Sequence, residues 1–122
     1  MKMFAVAITI MFITHEASAD IWFCDVDIKA NLIVPEDERW RNGITRDDNL
    51  RIIVDSEKGY RFADFENYSG TCQQTTEVIV CRYTGMRGGG TIAINLGNNT
   101  FSNVEHSFGL RVTSRVGNCT KA

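Results

Sequence analysis

Glu77 to Leu96 reads EVIVCRYTGMRGGGTIAINL, and its parity decides the fold. In Glu77–Thr84, Ile79, Cys81 and Tyr83 fall on one side of an extended chain, with Val78, Val80 and Arg82 on the other. Apolar groups on both faces predict a central strand. Thr91–Leu96 (TIAINL) predicts a second strand. Between them, Gly85-Met86-Arg87-Gly88-Gly89-Gly90 is the chain's one compositional break and predicts a mobile hairpin loop.

The same period extends in both directions. Downstream, Gly97-Asn98-Asn99 tolerates the left-handed backbone of a tight turn and leads into a strand at Thr100–Val104. Phe108–Val116 alternates Phe108, Leu110 and Val112 with Gly109, Arg111 and Thr113, which predicts a last strand before Cys119. Upstream, Leu50–Asp55 and Tyr60–Phe65 flank Ser56-Glu57-Lys58-Gly59, the signature of a hairpin. Ile21–Val34 sets Trp22, Cys24, Val26 and Ile28 at every second place, with Asp25, Asp27 and Lys29 between them. Pro35 to Trp40 (PEDERW) begins with Pro and an acidic turn, predicting one short helical turn that ends at Asn42-Gly43. These seven strands predict an all-β fold, a single small antiparallel meander closed into a barrel or sandwich.

The N-terminus has a separate purpose. Lys2, the eleven-residue apolar run Met3–Ile13 and the small-residue pattern Ala17-Ser18-Ala19 together predict a signal peptide over 1–19. The mature part is then a disulfide-stabilised β-domain over 20–122. As a helix, eleven residues span about 16 Å, roughly half a bilayer core, so no integral membrane anchor is expected after cleavage. Cys24 is preceded by Ile21-Trp22-Phe23 rather than small residues, which argues against a lipid anchor. The expected location is periplasmic or secreted.

Net charge is −2, and losing Lys2 and Glu16 with the leader leaves it there. A nearly neutral domain has no broad electrostatic preference for nucleic acid or anionic membranes, so neither partner is expected. All four cysteines lie in the mature part, as in a disulfide framework. Three pairings are possible. Cys24–Cys119 is favoured because terminal strands of small β-domains often lie side by side, with Cys72–Cys81 as a local clasp. With no Cys-x-x-Cys and one mature histidine, neither a metal nor a cofactor is expected.

Candidate chemistry is sparse. His106 has Glu105 and Ser107 as neighbours, but strand neighbours point to opposite faces, which argues against a nucleophile–base set. Asp25 and Asp27, about 6.5–7 Å apart along a strand, are the acidic pair that a glycosidic reaction would need; the alternation explains them equally well as a polar outer face. Asp47-Asp48-Asn49 lacks the spaced ligands of a calcium loop and reads as a polar turn. Trp40, Tyr60, Tyr68 and Tyr83 suit a ligand surface or the rim of the core. Asn67, Asn98 and Asn118 stand in glycosylation acceptor patterns, which a bacterial chain would not use. No catalytic residue is assigned.

The expected binding residues are Met86, Arg87, Gly88, Gly89 and Gly90, a finger for insertion into a partner's cleft, with Met and Arg making the contacts. The expected function is non-catalytic binding of a protein or cell-envelope component, with oligomeric state open. One alternative is a small carboxylate-based hydrolase. Another is a barrel holding a small apolar ligand, which an interior filled by Trp22, Ile28, Ile52, Val54, Phe62, Val80 and Ile94 would exclude.

A short leader, about 100 residues of β-meander, an early Cys24 and a closing Gly117-Asn118-Cys119 resemble small exported β-rich proteins of Gram-negative bacteria, many uncharacterised. Among these, the periplasmic inhibitors of c-type lysozyme share the size and the antiparallel barrel. Their Ser-Gly-x-x-Tyr stretch is met by Ser69-Gly70-Thr71-Cys72-Gln73, with Gln73 in place of Tyr. Their Tyr-x-x-x-Thr-Lys-Gly stretch keeps only Tyr83 and the closing Gly89. No inhibitory residue carries over.

Overall fold

The computed structural model describes residues 19–33, 43–46, 50–107 and 111–122. The expected signal peptide, apart from Ala19, lies outside the described residues. So do the expected helical turn at Pro35–Trp40 and the Asp47-Asp48-Asn49 turn.

The described chain is all-β, an antiparallel sheet nearly closed into a barrel. Its strands are β1 (Ile21–Ile33), β2 (Gly43–Arg46), β3 (Arg51–Asp55), β4 (Gly59–Phe62), β5 (Thr71–Gln74), β6 (Val78–Gly85), β7 (Gly88–Asn95), β8 (Thr100–Ser107) and β9 (Arg111–Lys121). Neighbours run β4-β3-β1-β9-β8-β7-β6-β5, and β2 pairs with the far end of β1. At the seam, Tyr60 and Ser69 exchange backbone hydrogen bonds of 3.0 Å in both directions, tying β4 to the residues just before β5. Nine strands among the described residues replace the seven expected. The two additions, β2 and β5, have four residues each, too few to show a period in the sequence.

Turn chemistry explains the hairpins. Asp55 is buried, and its Oδ1 accepts from the backbone N–H of Glu57 (2.9 Å) and Lys58 (3.1 Å), closing the β3–β4 turn. Asn99 takes the left-handed conformation (φ 59°) in the β7–β8 turn. Both disulfides join directly opposed residues of neighbouring strands, Cys24–Cys119 across β1 and β9 and Cys72–Cys81 across β5 and β6. This is the pairing the sequence favoured, and two disulfides belong to an oxidising, non-cytoplasmic environment.

The interior is the decisive feature. One half is apolar, with Trp22, Ile52, Val54, Ile79, Ile92, Ile94 and Phe101 packed around Cys24, Cys81 and Cys119. The parity expected for β1 holds only as far as Val26. Val26 stands opposite Gly117 and Ile28 opposite Val116, so Asp27 is an extra residue, a β-bulge. Past it the alternation inverts and Ile28 is an exposed outer residue. Val80 also faces outward, since Ile79 and Cys81 are the buried residues of β6. The bulge depends on Gly117, where a Cβ would overlap the Asp25 carbonyl and lie 2.8 Å from the Phe101 ring. Of the seven residues expected to line the interior, Trp22, Ile52, Val54 and Ile94 are buried, Phe62 is partly buried, and Ile28 and Val80 are not core residues.

Candidate functional site

The other half of the interior is polar. Along β8 the inward positions run Phe101, Asn103, Glu105, passing from hydrocarbon to carboxylate within one strand. The Tyr60 hydroxyl donates to Glu105 Oε1 (3.0 Å) and the Tyr83 hydroxyl to Oε2 (2.6 Å). Asn103 Nδ2 donates to Oε1 (3.3 Å) and to the Thr91 carbonyl (3.0 Å), while Arg115 Nη1 donates to Asn103 Oδ1 (3.0 Å). The two tyrosine rings meet edge to face at 5.5 Å, and the Arg115 guanidinium lies 5.0 Å from the centre of the Phe62 ring. Asn103 and Arg115 are both buried.

The glycine run makes this packing possible, and it is strand rather than loop. Gly88, Gly89 and Gly90 belong to β7; only Met86 and Arg87 form the turn, between the paired residues Gly85 and Gly88. A Cβ on Gly90 would occupy the place of the Glu105 carboxylate and the Tyr60 hydroxyl. On the outer face, a Cβ on Gly89 would come within 3.1 Å of the His106 ring. Gly88 has φ +153°, and a Cβ there would strike the His106 carbonyl. Three adjacent glycines therefore let one strand carry a carboxylate on one face and an imidazole on the other.

Burial first, and then the negative charge of Glu105, push the Tyr60 and Tyr83 hydroxyls well above the ordinary tyrosine value. Arg115 acts in the opposite direction on both. The phenols thus stay protonated and act as fixed donors. Glu105, with three hydrogen bonds to its oxygens, is a positioned charge whose lone pairs are largely taken.

Tyr83 separates two concavities. One, about 490 Å³, is bounded by Met86, Arg87, Glu105 and His106. The other, about 270 Å³, is bounded by Tyr60, Phe62, Phe65 and Asn67. Met86 is 98% exposed and Phe65 65% exposed. Phe65 is held by a 2.7 Å hydrogen bond from Arg61 Nη1 to its carbonyl and by an edge contact with Phe62.

The structure therefore brings Met86, Arg87 and Gly88 of the expected finger together with Glu105 and His106. The latter two are neighbours along β8, so their side chains leave the strand on opposite faces. Asp25 and Asp27 are exposed and line neither concavity, and Asp25 is ion-paired to Arg51 at 2.8 Å. Tyr60 and Tyr83 were visible in the sequence as rim aromatics. Asn103 and Arg115 went unnoticed, although the alternation through Phe101 and Asn103 placed a polar residue at a core position. Comparison with protein-family models, curated proteins and solved structures found no match for this chain.

Proposed function

We propose that this is an exported, non-catalytic recognition domain that binds a protein or cell-envelope component through the Met86–Arg87 end of its barrel. One observation carries the reading: a methionine 98% exposed at the tip of a two-residue turn, above a concavity that contains Glu105. Solvent exposure of a large apolar side chain gains nothing within the fold, whereas Met and Arg are the residues that interface centres favour. Short turns on a stapled barrel are preorganised, so little ordering entropy opposes binding. Export rests on the leader pattern and fits the two disulfides.

The test is capture of a partner from an envelope fraction by the full chain, compared with a Met86→Ala/Arg87→Ala variant. Loss of one specific partner at unchanged unfolding temperature supports the reading. Equal capture by both proteins overturns it.

A further inference from the structure

Phe65 is 65% exposed and yet pinned. Its backbone N–H donates to the Phe62 carbonyl (2.9 Å), and Arg61 Nη1 donates to the carbonyls of Phe65 (2.7 Å) and Ala63 (3.4 Å). The Arg61 guanidinium is braced in turn, 5.2 Å from the centre of the Tyr68 ring. The turn after β4 thus holds an aromatic ring in water, where it gains nothing for the fold. It holds that ring at the border of the concavity of about 270 Å³.

The rest of the lining has two characters. Phe62 meets Phe65 edge to face at 6.5 Å, and Tyr60 meets Tyr83 in the same way at 5.5 Å. Both tyrosine hydroxyls are spent on Glu105, so what these residues offer a ligand is ring. Asn67 and Ser69, both exposed, bring an amide and a hydroxyl, groups that donate and accept alike. Arg61 also borders the concavity, but its guanidinium is engaged by two carbonyls and the Tyr68 ring. No carboxylate lines it among the described residues.

This composition selects a ligand class. A purely apolar group would strip water from Asn67 and Ser69 and return no hydrogen bond. A cation would meet no carboxylate. A neutral ring with an apolar C–H face and hydroxyls at its edge satisfies both parts of the lining. The volume equals that of about nine liquid waters, room for one such ring. We propose that the concavity beside Phe65 binds one neutral pyranose ring of a sugar, its C–H face on Phe65 and its hydroxyls on Asn67 and Ser69. The pinned platform needs little ordering on binding. The inference concerns a different concavity from that beneath Met86 and stands without that reading.

Nuclear magnetic resonance titration of the full chain tests it, following the Asn67 side-chain NH2 and the Phe65 ring. The probes are methyl β-glucoside, methyl β-galactoside and N-acetylglucosamine, with benzyl alcohol as an apolar ring lacking a hydroxyl-bearing edge. At least one sugar is expected to shift both signals with a Kd of about 1–10 mM, the range for a ligand of a dozen or so heavy atoms. A linear glucose tetrasaccharide that binds more tightly than methyl β-glucoside marks a ring within a chain as the ligand; equal binding marks a free sugar. Phe65→Ala is expected to weaken sugar binding about tenfold, with the fold retained because the ring is exposed. Asn67→Ala is expected to weaken it severalfold. Met86→Ala/Arg87→Ala is expected to bind sugar as the parent does, which separates this site from the hairpin tip. The proposal is overturned if no sugar shifts these signals well above that concentration range, if Phe65→Ala and Asn67→Ala both bind as the parent does, or if benzyl alcohol binds as tightly as the best sugar.

Discussion

Phe101 and Glu105 lie on the same inward face of β8, separated by Asn103, and meet opposite surroundings. Phe101 packs among isoleucines and cystines; Glu105 is held by two phenols and an amide. The apolar half is what a domain of about 100 residues needs to fold, since cores of this size are marginal without staples. The polar half resembles a buried ionic network, which hydrophobic residues of similar volume often match or exceed in stability. Among the described residues thirteen buried hydrophobic side chains stand against four buried polar or charged ones, so the burial energy of the core does not rest on the polar end.

The predictions test that division of labour. The largest effect belongs to the apolar half. Replacing Cys24 and Cys119 by Ala opens a bridge spanning 95 residues and is expected to cost about 4.7 kcal/mol on chain entropy. The same change at Cys72 and Cys81, 9 residues apart, is expected to cost about 2.5 kcal/mol, and denaturant midpoints compare the two. Next, Phe101→Ala should lose about 3–5 kcal/mol by equilibrium unfolding, from transfer and cavity together. Gly90→Ala forces a methyl group into the place of the Glu105 carboxylate and is expected to cost about 1–3 kcal/mol, with retained fold by circular dichroism.

A smaller effect appears in pH dependence. The folded Tyr60 and Tyr83 hydroxyls titrate above their unfolded value of about 10. Their contribution to stability is full below about pH 10 and is lost as pH rises beyond it, because unfolding then releases protons. Glu105→Gln removes one cause of the raised values. Midpoints measured on both sides of pH 10 should therefore fall less steeply in that variant than in the parent. Smallest of all, Met86→Ala/Arg87→Ala should leave the unfolding free energy within about 0.5 kcal/mol, as exposed substitutions do, whatever it does to binding.

Much of the apolar half was legible in the sequence. The alternations in Trp22–Val26 and Ile79–Tyr83, the Asn99 turn and both cystine pairings came from period, turn chemistry and spacing. The polar half was not. A single inserted residue at Asp27 reverses which side chains of β1 face inward, and nothing in DVDIKAN distinguishes a bulge from a continuing strand. Gly88-Gly89-Gly90 looked like a loop because glycine is read as a breaker. The glycines are strand residues whose missing side chains make room for Glu105 and His106, and that requirement becomes visible only once β8 is laid beside β7.

The central claim is that the polar end of the interior gives no more stability than apolar side chains of similar volume would give there. The most direct measurement is the unfolding free energy of a variant carrying Tyr60→Phe, Tyr83→Phe, Asn103→Leu, Glu105→Leu and Arg115→Met. The expected value is within about 1 kcal/mol of the parent or above it. A loss of about 3–5 kcal/mol would contradict the account and make the polar network part of what holds the barrel together.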